Sequence, residues 1–166
     1  LKVVSGFPGT ATYGKRTIHA VFMLVRAETG EPVALLDGTF LTALRTGAVS
    51  GAATDLLARP DSRVLTCIGA GAQGVTQALG VATVRPIERI LVYDVNTEIA
   101  QSFPERLADL APELARYVEV TTDLRAALAQ ADVVCTATTA HEPVFADRDI
   151  RPGTHINAIG AFTPEM

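Results

Sequence analysis

Six consecutive residues, Gly69-Ala70-Gly71-Ala72-Gln73-Gly74, have the spacing G-x-G-x-x-G. Each glycine in such a run has a physical task. The first makes a tight turn, the second lets backbone approach a pyrophosphate, and the third lets a helix pack closely on a strand. The helix that follows offers free N–H groups and the positive end of its dipole to phosphate oxygens. The pattern is weak alone, but here the apolar run VLTCI precedes it and an Ala-rich segment follows. Asp94 closes the next apolar run, 20 positions beyond Gly74. A carboxylate there can accept hydrogen bonds from ribose hydroxyls and would repel a 2′-phosphate. The residues after it, Val95-Asn96-Thr97-Glu98, include no base. The expected cofactor is therefore NAD rather than NADP.

Arg45 is the second candidate. It is the one charged residue between Asp37 and Asp55, set among small and apolar neighbours in LTALRTGAVSGAAT. A guanidinium in such surroundings needs a partner, because an unpaired buried charge is costly. Residue chemistry leaves two partners open: a structural salt bridge to Asp37 or Asp55, or a ligand carboxylate held by two parallel hydrogen bonds. His19, His141 and His155 are not spaced as metal ligands, and Cys67 and Cys135 lie far from them, so no metal is expected. No Ser-His-Asp or Cys-His nucleophile pattern is present.

These residues must be positioned by two kinds of architecture. From Ile18 to Asp37 the chain reads as a hairpin: IHAVFMLVRA, a turn at ETGE with Gly30, and PVALLDG returning. Before it lies a Gly- and Thr-rich stretch with a short apolar piece at Val3 and Val4. TFLTALRTGAVSGAATDLLARP then reads as a helix with Thr39 as N-cap and an end before Pro60. From Asp61 onward strands and helices alternate. VLTCIGA, RILVYDV, YVEVTT, DVVCTAT and THINAIGA are strands, and AQGVTQALGVATV, NTEIAQSFPERLADL and DLRAALAQA are helices. Val/Ile/Leu runs without alternation indicate strands buried on both faces, as in a parallel sheet. The expectation is an α/β chain: a Rossmann-type doubly wound parallel sheet over 59–166, preceded over 1–58 by part of a second, mainly β domain.

Composition narrows the function classes. The 166 residues are 48% hydrophobic and 19% charged, as in a packed globular chain. A net charge of −4 with no clustered basic face argues against a nucleic-acid partner. Charged residues or glycine interrupt every apolar run before membrane-spanning length, so no membrane partner is expected. Two cysteines within apolar runs suggest buried reduced thiols and a cytoplasmic location.

LKVVSGFPG, LLDGTFLTALRTGAVSGAAT, CIGAGAQG and HINAIGA, in this order and at compatible spacings, resemble the ornithine cyclodeaminase/mu-crystallin family across nearly the whole chain. The resemblance implies a mid-chain Rossmann domain and a second domain, built from both chain ends, that binds substrate and forms a homodimer. It implies chemistry on α-imino or α-amino acids. Carried over by residue, Lys2 is implied as the lysine that binds the substrate carboxylate beside the reacting carbon. Arg45 is implied at the junction of carboxylate and nicotinamide, and Thr17 near the cofactor. Ala72 and Gln73 correspond to the phosphate loop and Asp94 to the ribose acid. Thr136 and the run Ile156-Asn157-Ala158-Ile159 line the nicotinamide half. One departure matters. Ornithine cyclodeaminases of this family place an aspartate where this chain has Phe162, and a phenyl ring neither binds an ammonium by charge nor moves a proton. The expected function is thus a ketimine reductase or alanine dehydrogenase-like oxidoreductase. An ornithine cyclodeaminase with bound NAD and a non-catalytic ligand binder are the alternatives. A sheet unfilled after 166 and a hairpin with apolar residues on both faces further suggest a piece of a longer protein.

Overall fold

The computed structural model describes residues 1–7, 13–14 and 18–160, and divides the chain into two compact units, Leu1–Arg45 and Thr46–Met166. In the first, β-branched and apolar residues form β1 (Lys2–Gly6), β2 (Ile18–Val25) and β3 (Pro32–Asp37), an antiparallel sheet in the order β1-β2-β3. The expected hairpin is present. Its turn closes through the Arg26 and Gly30 N–H groups, which donate to Glu31 and Arg26 carbonyls at 2.9 Å. The apolar piece at Val3 and Val4 becomes a full strand because it pairs with β2 from Lys2↔Phe22 to Gly6↔Ile18. Many apolar side chains of this sheet stay exposed, Val3 at 60%, Leu24 at 56% and Leu35 at 73%.

Helix α1 (Gly38–Leu57) begins directly after β3. Thr39 is not its cap. The Asp37 carboxylate accepts from the Thr39 N–H at 2.7 Å, while the Thr39 hydroxyl accepts from the Ala20 N–H at 3.2 Å. A carboxylate one residue before the helix reaches the free amide that a residue inside the first turn cannot.

The second unit holds β4 (Val64–Ile68), α2 (Ala72–Val84), β5 (Arg89–Tyr93), α3 (Thr97–Gln101), α4 (Phe103–Ala108), α5 (Pro112–Ala115), β6 (Val118–Val120), α6 (Leu124–Leu128), β7 (Val133–Ala137) and β8 (His155–Ile159). The five strands are all parallel, in the order β6-β5-β4-β7-β8, so the order reverses between β4 and β7. Ligands of open α/β sheets bind at such a reversal, beyond the carboxyl ends of the strands. One face, carrying Leu65, Cys67, Ile90, Val92, Val133 and Cys135, packs with Val75, Ala78 and Val81 of α2 and with Phe103 and Leu107 of α4. The other, with Ile68 and Val134, packs with Leu128 of α6 and with Phe145 and Ile150. The sheet is therefore covered on both sides, as its unbroken apolar strands require.

Two details depart from sequence expectation. The segment 96–110, read as one helix, is broken into α3 and α4. Pro104 has no N–H, and within a continuous helix its ring would collide with the Ala100 carbonyl. Composition changes near residue 60, but the structural division falls earlier, within α1. There, Gly47 and Gly51 lie so close to α2 that a Cβ on either would meet the carbonyl of Thr76 or Gly80.

Two charged groups fasten the second unit. The buried Arg85 guanidinium donates to the carbonyls of Thr54, Asp55 and Ala58 at 2.8–2.9 Å, satisfying the C-terminal carbonyls of α1. Asp132, just before β7, bonds Arg59 at 2.7 Å, Arg151, and the N–H groups of Arg63 and Val64 at 2.8 and 3.0 Å. Burial would raise its pKa. The two backbone N–H groups and the cations of Arg151 and Arg59 outweigh burial and hold it below the usual carboxylate range. A pKa lowered by folding contributes stability that is complete above the unfolded value of about 4 and is lost as pH falls through the folded value. Asp132→Asn is expected to cost about 2–3 kcal/mol in urea unfolding at neutral pH, as for hydrogen bonds to a charged group. The gap between variant and wild type should close below about pH 4. A gap independent of pH would show that the charge of Asp132 contributes nothing.

Candidate functional site

The turn after β4 is built from backbone approaches that exclude side chains. Gly69 has φ +94°, a conformation that L side chains rarely adopt, and a Cβ there would overlap the Ala137 carbonyl at the end of β7. A Cβ on Gly74 would overlap the Gly69 carbonyl oxygen and would lie 3.4 Å from the Phe103 ring. Gly71 is different: a Cβ there would meet nothing within 4 Å. Its φ of −68° is open to any residue, so neither the fold nor the backbone requires glycine at this position. Glycine here leaves room for something outside the chain. Gly71 is also the N-cap of α2 and offers no side-chain cap, so the first N–H groups of the helix, at Ala72 and Gln73, have no intrahelical partner. Open space over an uncapped, positively polarised helix end fits a pyrophosphate.

Asp94, just past β5, is half-buried. One carboxylate oxygen accepts from the Ala70 N–H at 2.7 Å and the other from the Asn96 N–H at 2.8 Å. Lone pairs remain on both oxygens for ribose hydroxyls. The sequence reading missed Arg106. Its Nη2 donates to the carbonyl of the same Ala70 and, at 3.3 Å, to that of Ile99. Burial draws its pKa down, and the charge of Asp94 draws it up. The available signal was that Arg106 is the only base between Asp94 and Arg116. Its approach depends on where the break at Pro104 sets α4.

Thr136 is buried in β7 and pairs in register with Ile68 and with Ala158. Ile156 and Ala158 share its face of the sheet and are exposed, while the buried Asn157 points the other way. The Asn157 amide nitrogen donates to the Thr54 hydroxyl at 3.0 Å and to the Cys135 sulfur at 3.6 Å, and its oxygen lies 3.2 Å from His155 Nε2. Its side chain braces β8 against α1 and β7, and does not form a wall beside Thr136. Ile159 ends the strand half-buried.

In the first unit, Lys2 lies with its ammonium 5.3 Å from the Phe22 ring centre. Arg45 is exposed rather than buried, and it makes no ion pair among the described residues. Both structural partners offered for it are engaged elsewhere, Asp37 in capping α1 and Asp55 with Arg85 at 3.1 Å. Thr17 and Phe162 lie outside the described residues. Cys67 and Cys135 are free and buried. Burial pushes both thiols up, Cys135 to about 12, so neither is a thiolate nucleophile near neutral pH. Among the described residues no cluster is placed to hold a metal, and no helix is long and apolar enough to cross a membrane.

Known proteins share this arrangement. The model of the ornithine cyclodeaminase/mu-crystallin family matches residues 1–166. A Delta(1)-pyrroline-2-carboxylate reductase of Bacillus thuringiensis subsp. konkukian is 40% identical over 166 residues, which cover 100% of this chain and 50% of that protein. An L-lysine cyclodeaminase of Streptomyces rapamycinicus is 49% identical over 137 residues, 81% of this chain and 38% of that protein. Among solved structures, the Thermococcus litoralis Delta(1)-pyrroline-2-carboxylate reductase in complex with NADH and L-proline superposes with a TM-score of 0.86. It is 44% identical and matches 93% of this chain and 47% of its own. The chain spans about half the length of the curated relatives it matches.

The glycine geometry separates folding from binding. Gly74→Ala is expected to destabilise the second unit by about 1–3 kcal/mol through overpacking against the Gly69 carbonyl. Gly71→Ala should leave stability within about 0.5 kcal/mol, as for a substitution into open space, and should weaken NADH binding at least about tenfold by filling that space. Chemical unfolding and NADH titration of both variants check this. Equal losses of stability would refute the distinction.

Proposed function

This chain belongs to the ornithine cyclodeaminase/mu-crystallin family, and from that premise we propose that it serves an NAD(P)-dependent oxidoreductase acting on a small α-imino or α-amino acid. The observation that carries the cofactor reading is the open Cβ position of Gly71 over the uncapped start of α2, with Asp94 bonded to the same loop at Ala70. Gly69, Gly71, Ala72, Gln73 and Gly74 hold the pyrophosphate, and Asp94 the adenine ribose, which favours NAD over NADP. Thr136, Ile156, Ala158 and Ile159, with the backbone of Asn157 and with Thr17, border the nicotinamide half. When bound, a reduced nicotinamide supplies a hydride to the carbon of a C=N bond. Lys2 and Arg45 hold the substrate carboxylate, and Lys2 stands beside the reacting carbon. Two cations suit one carboxylate, and the planar fork of Arg45 can take both of its oxygens. The imino-acid substrate class is supported by the relatives named pyrroline-2-carboxylate reductase, which match the chain end to end.

We assign 1–58 to a substrate-binding and dimerisation domain and 59–166 to the cofactor domain, with the second half of α1, which packs on α2, as the connection between them. The exposed apolar residues of the three-stranded sheet support a homodimer. The free thiols support a cytoplasmic location. A second reading, a cyclodeaminase that reduces and reoxidises a tightly held NAD, draws support from the similarity to the lysine cyclodeaminase. Phe162 in place of the family's acid stands against it.

Assay of the full-length protein separates the two. Net oxidation of added NADH with Delta(1)-pyrroline-2-carboxylate is expected, with little ammonia released from L-ornithine or L-lysine. Arg45→Lys should lower kcat/KM on the order of 10- to 100-fold, the worth of a charge-assisted hydrogen bond. Ammonia release without net NADH consumption would establish the cyclodeaminase instead.

A further inference from the structure

Arg106 is a half-buried cation beside the glycine loop that feels the charge of Asp94 without pairing with it directly. Its hydrogen bonds run only to carbonyls, those of Ala70 and Ile99, and its Nε is buried with no acceptor among the described residues. No ion pair joins it to any described carboxylate. The Phe103 ring lies 5.9 Å from its guanidinium carbon and holds it from one side. Asp94 meets the same Ala70 through the N–H. A carboxylate and a guanidinium therefore grip one residue of the loop from its two backbone ends. The carboxylate suits ribose hydroxyls. The guanidinium, with donors to spare among its five, suits a phosphate.

We infer that Arg106 is a second determinant of cofactor choice, a cation placed to take the 2′-phosphate of NADP, which Asp94 keeps away by charge. The inference deepens the dinucleotide reading proposed above and rests on it. In that reading an acid after β5 excludes the 2′-phosphate, and acceptance requires a base in the residues just after it. Here the base comes from a later helix, set by the break at Pro104. It is already in place, and one substitution suffices to expose it. While Asp94 is ionised, its charge cancels much of the attraction of Arg106 for a phosphate. Without that charge the site is a net cation.

The test is equilibrium titration of the full-length protein with NADH and NADPH, read by nicotinamide fluorescence rather than by turnover. Wild type should bind NADH more tightly. Asp94→Asn, which keeps an acceptor for the Ala70 N–H, should shift the ratio of the two dissociation constants toward NADPH on the order of 10- to 100-fold. Adding Arg106→Gln should remove most of that shift, and adding Arg106→Lys should keep most of it. An equal shift whether Arg106 is kept or replaced by glutamine would overturn the inference, as would an Arg106→Gln single variant that weakens both dinucleotides alike. Should Arg106→Gln fail to fold by circular dichroism, salt decides. In the Asp94→Asn protein the preference for NADPH must decline as ionic strength rises, and a flat ratio overturns the proposal. Wild type that binds neither dinucleotide would sink the cofactor reading itself. Binding of both, without coupling between the two positions, would sink only the role of Arg106.

Discussion

Helix α2 touches backbone on two sides, and the second unit depends on that. At its start, Gly74 lies against the Gly69 carbonyl. Further along, Gly80 lies against Gly47 and Gly51 of α1. Each approach leaves no volume for a Cβ, and interiors packed to crystal density do not yield volume cheaply. The start of the helix is thereby fixed over the end of β4, so its unpaired N–H groups stand where the strand order reverses. The geometry of this turn is a consequence of packing. The one glycine of the loop with free space around it, Gly71, has room because its neighbours have none.

Charge is divided between the two ends of the parallel sheet. At the amino ends of the strands, Asp132 collects Arg59, Arg151 and two strand amides, while Arg85 closes the carbonyl end of α1. The lone pairs and donors used there are turned inward, and these groups fasten. At the carboxyl ends, Asp94 and Arg106 bond backbone of the same loop yet keep lone pairs and donors in reserve. Spare capacity beside open space is what distinguishes a binding group from a fastening one. By the same measure Asn157, whose amide is spent on Thr54 and Cys135, fastens, whereas Arg45, exposed and without an ion pair among the described residues, is available.

The first unit is less self-sufficient. A three-stranded sheet with Val3, Leu24 and Leu35 exposed buries little of its own apolar surface. Of its cations, Lys2 lies beside the Phe22 ring and Arg45 is exposed.

The sequence by itself determined the local and periodic features. Unbroken Val/Ile/Leu runs dictated a two-faced parallel sheet. The spacing of Gly69, Gly71 and Gly74 dictated a tight turn from strand into helix, and Asp94 was legible as the acid that closes the next strand. These are short-range rules in which residue type limits backbone and burial directly. Tertiary structure decided what depends on residues distant in the chain. Pro104 announced a helix break, but only the packed position of α4 brought Arg106 onto Ala70. Asn157 was legible as a strand-end polar residue, but its register beside Cys135 and under Thr54 turned it away from the face of Thr136. Arg45 was legible as an isolated charge. That Asp37 would cap α1 and Asp55 would pair with Arg85 was not, because competition among partners is settled only when all of them have been placed in space.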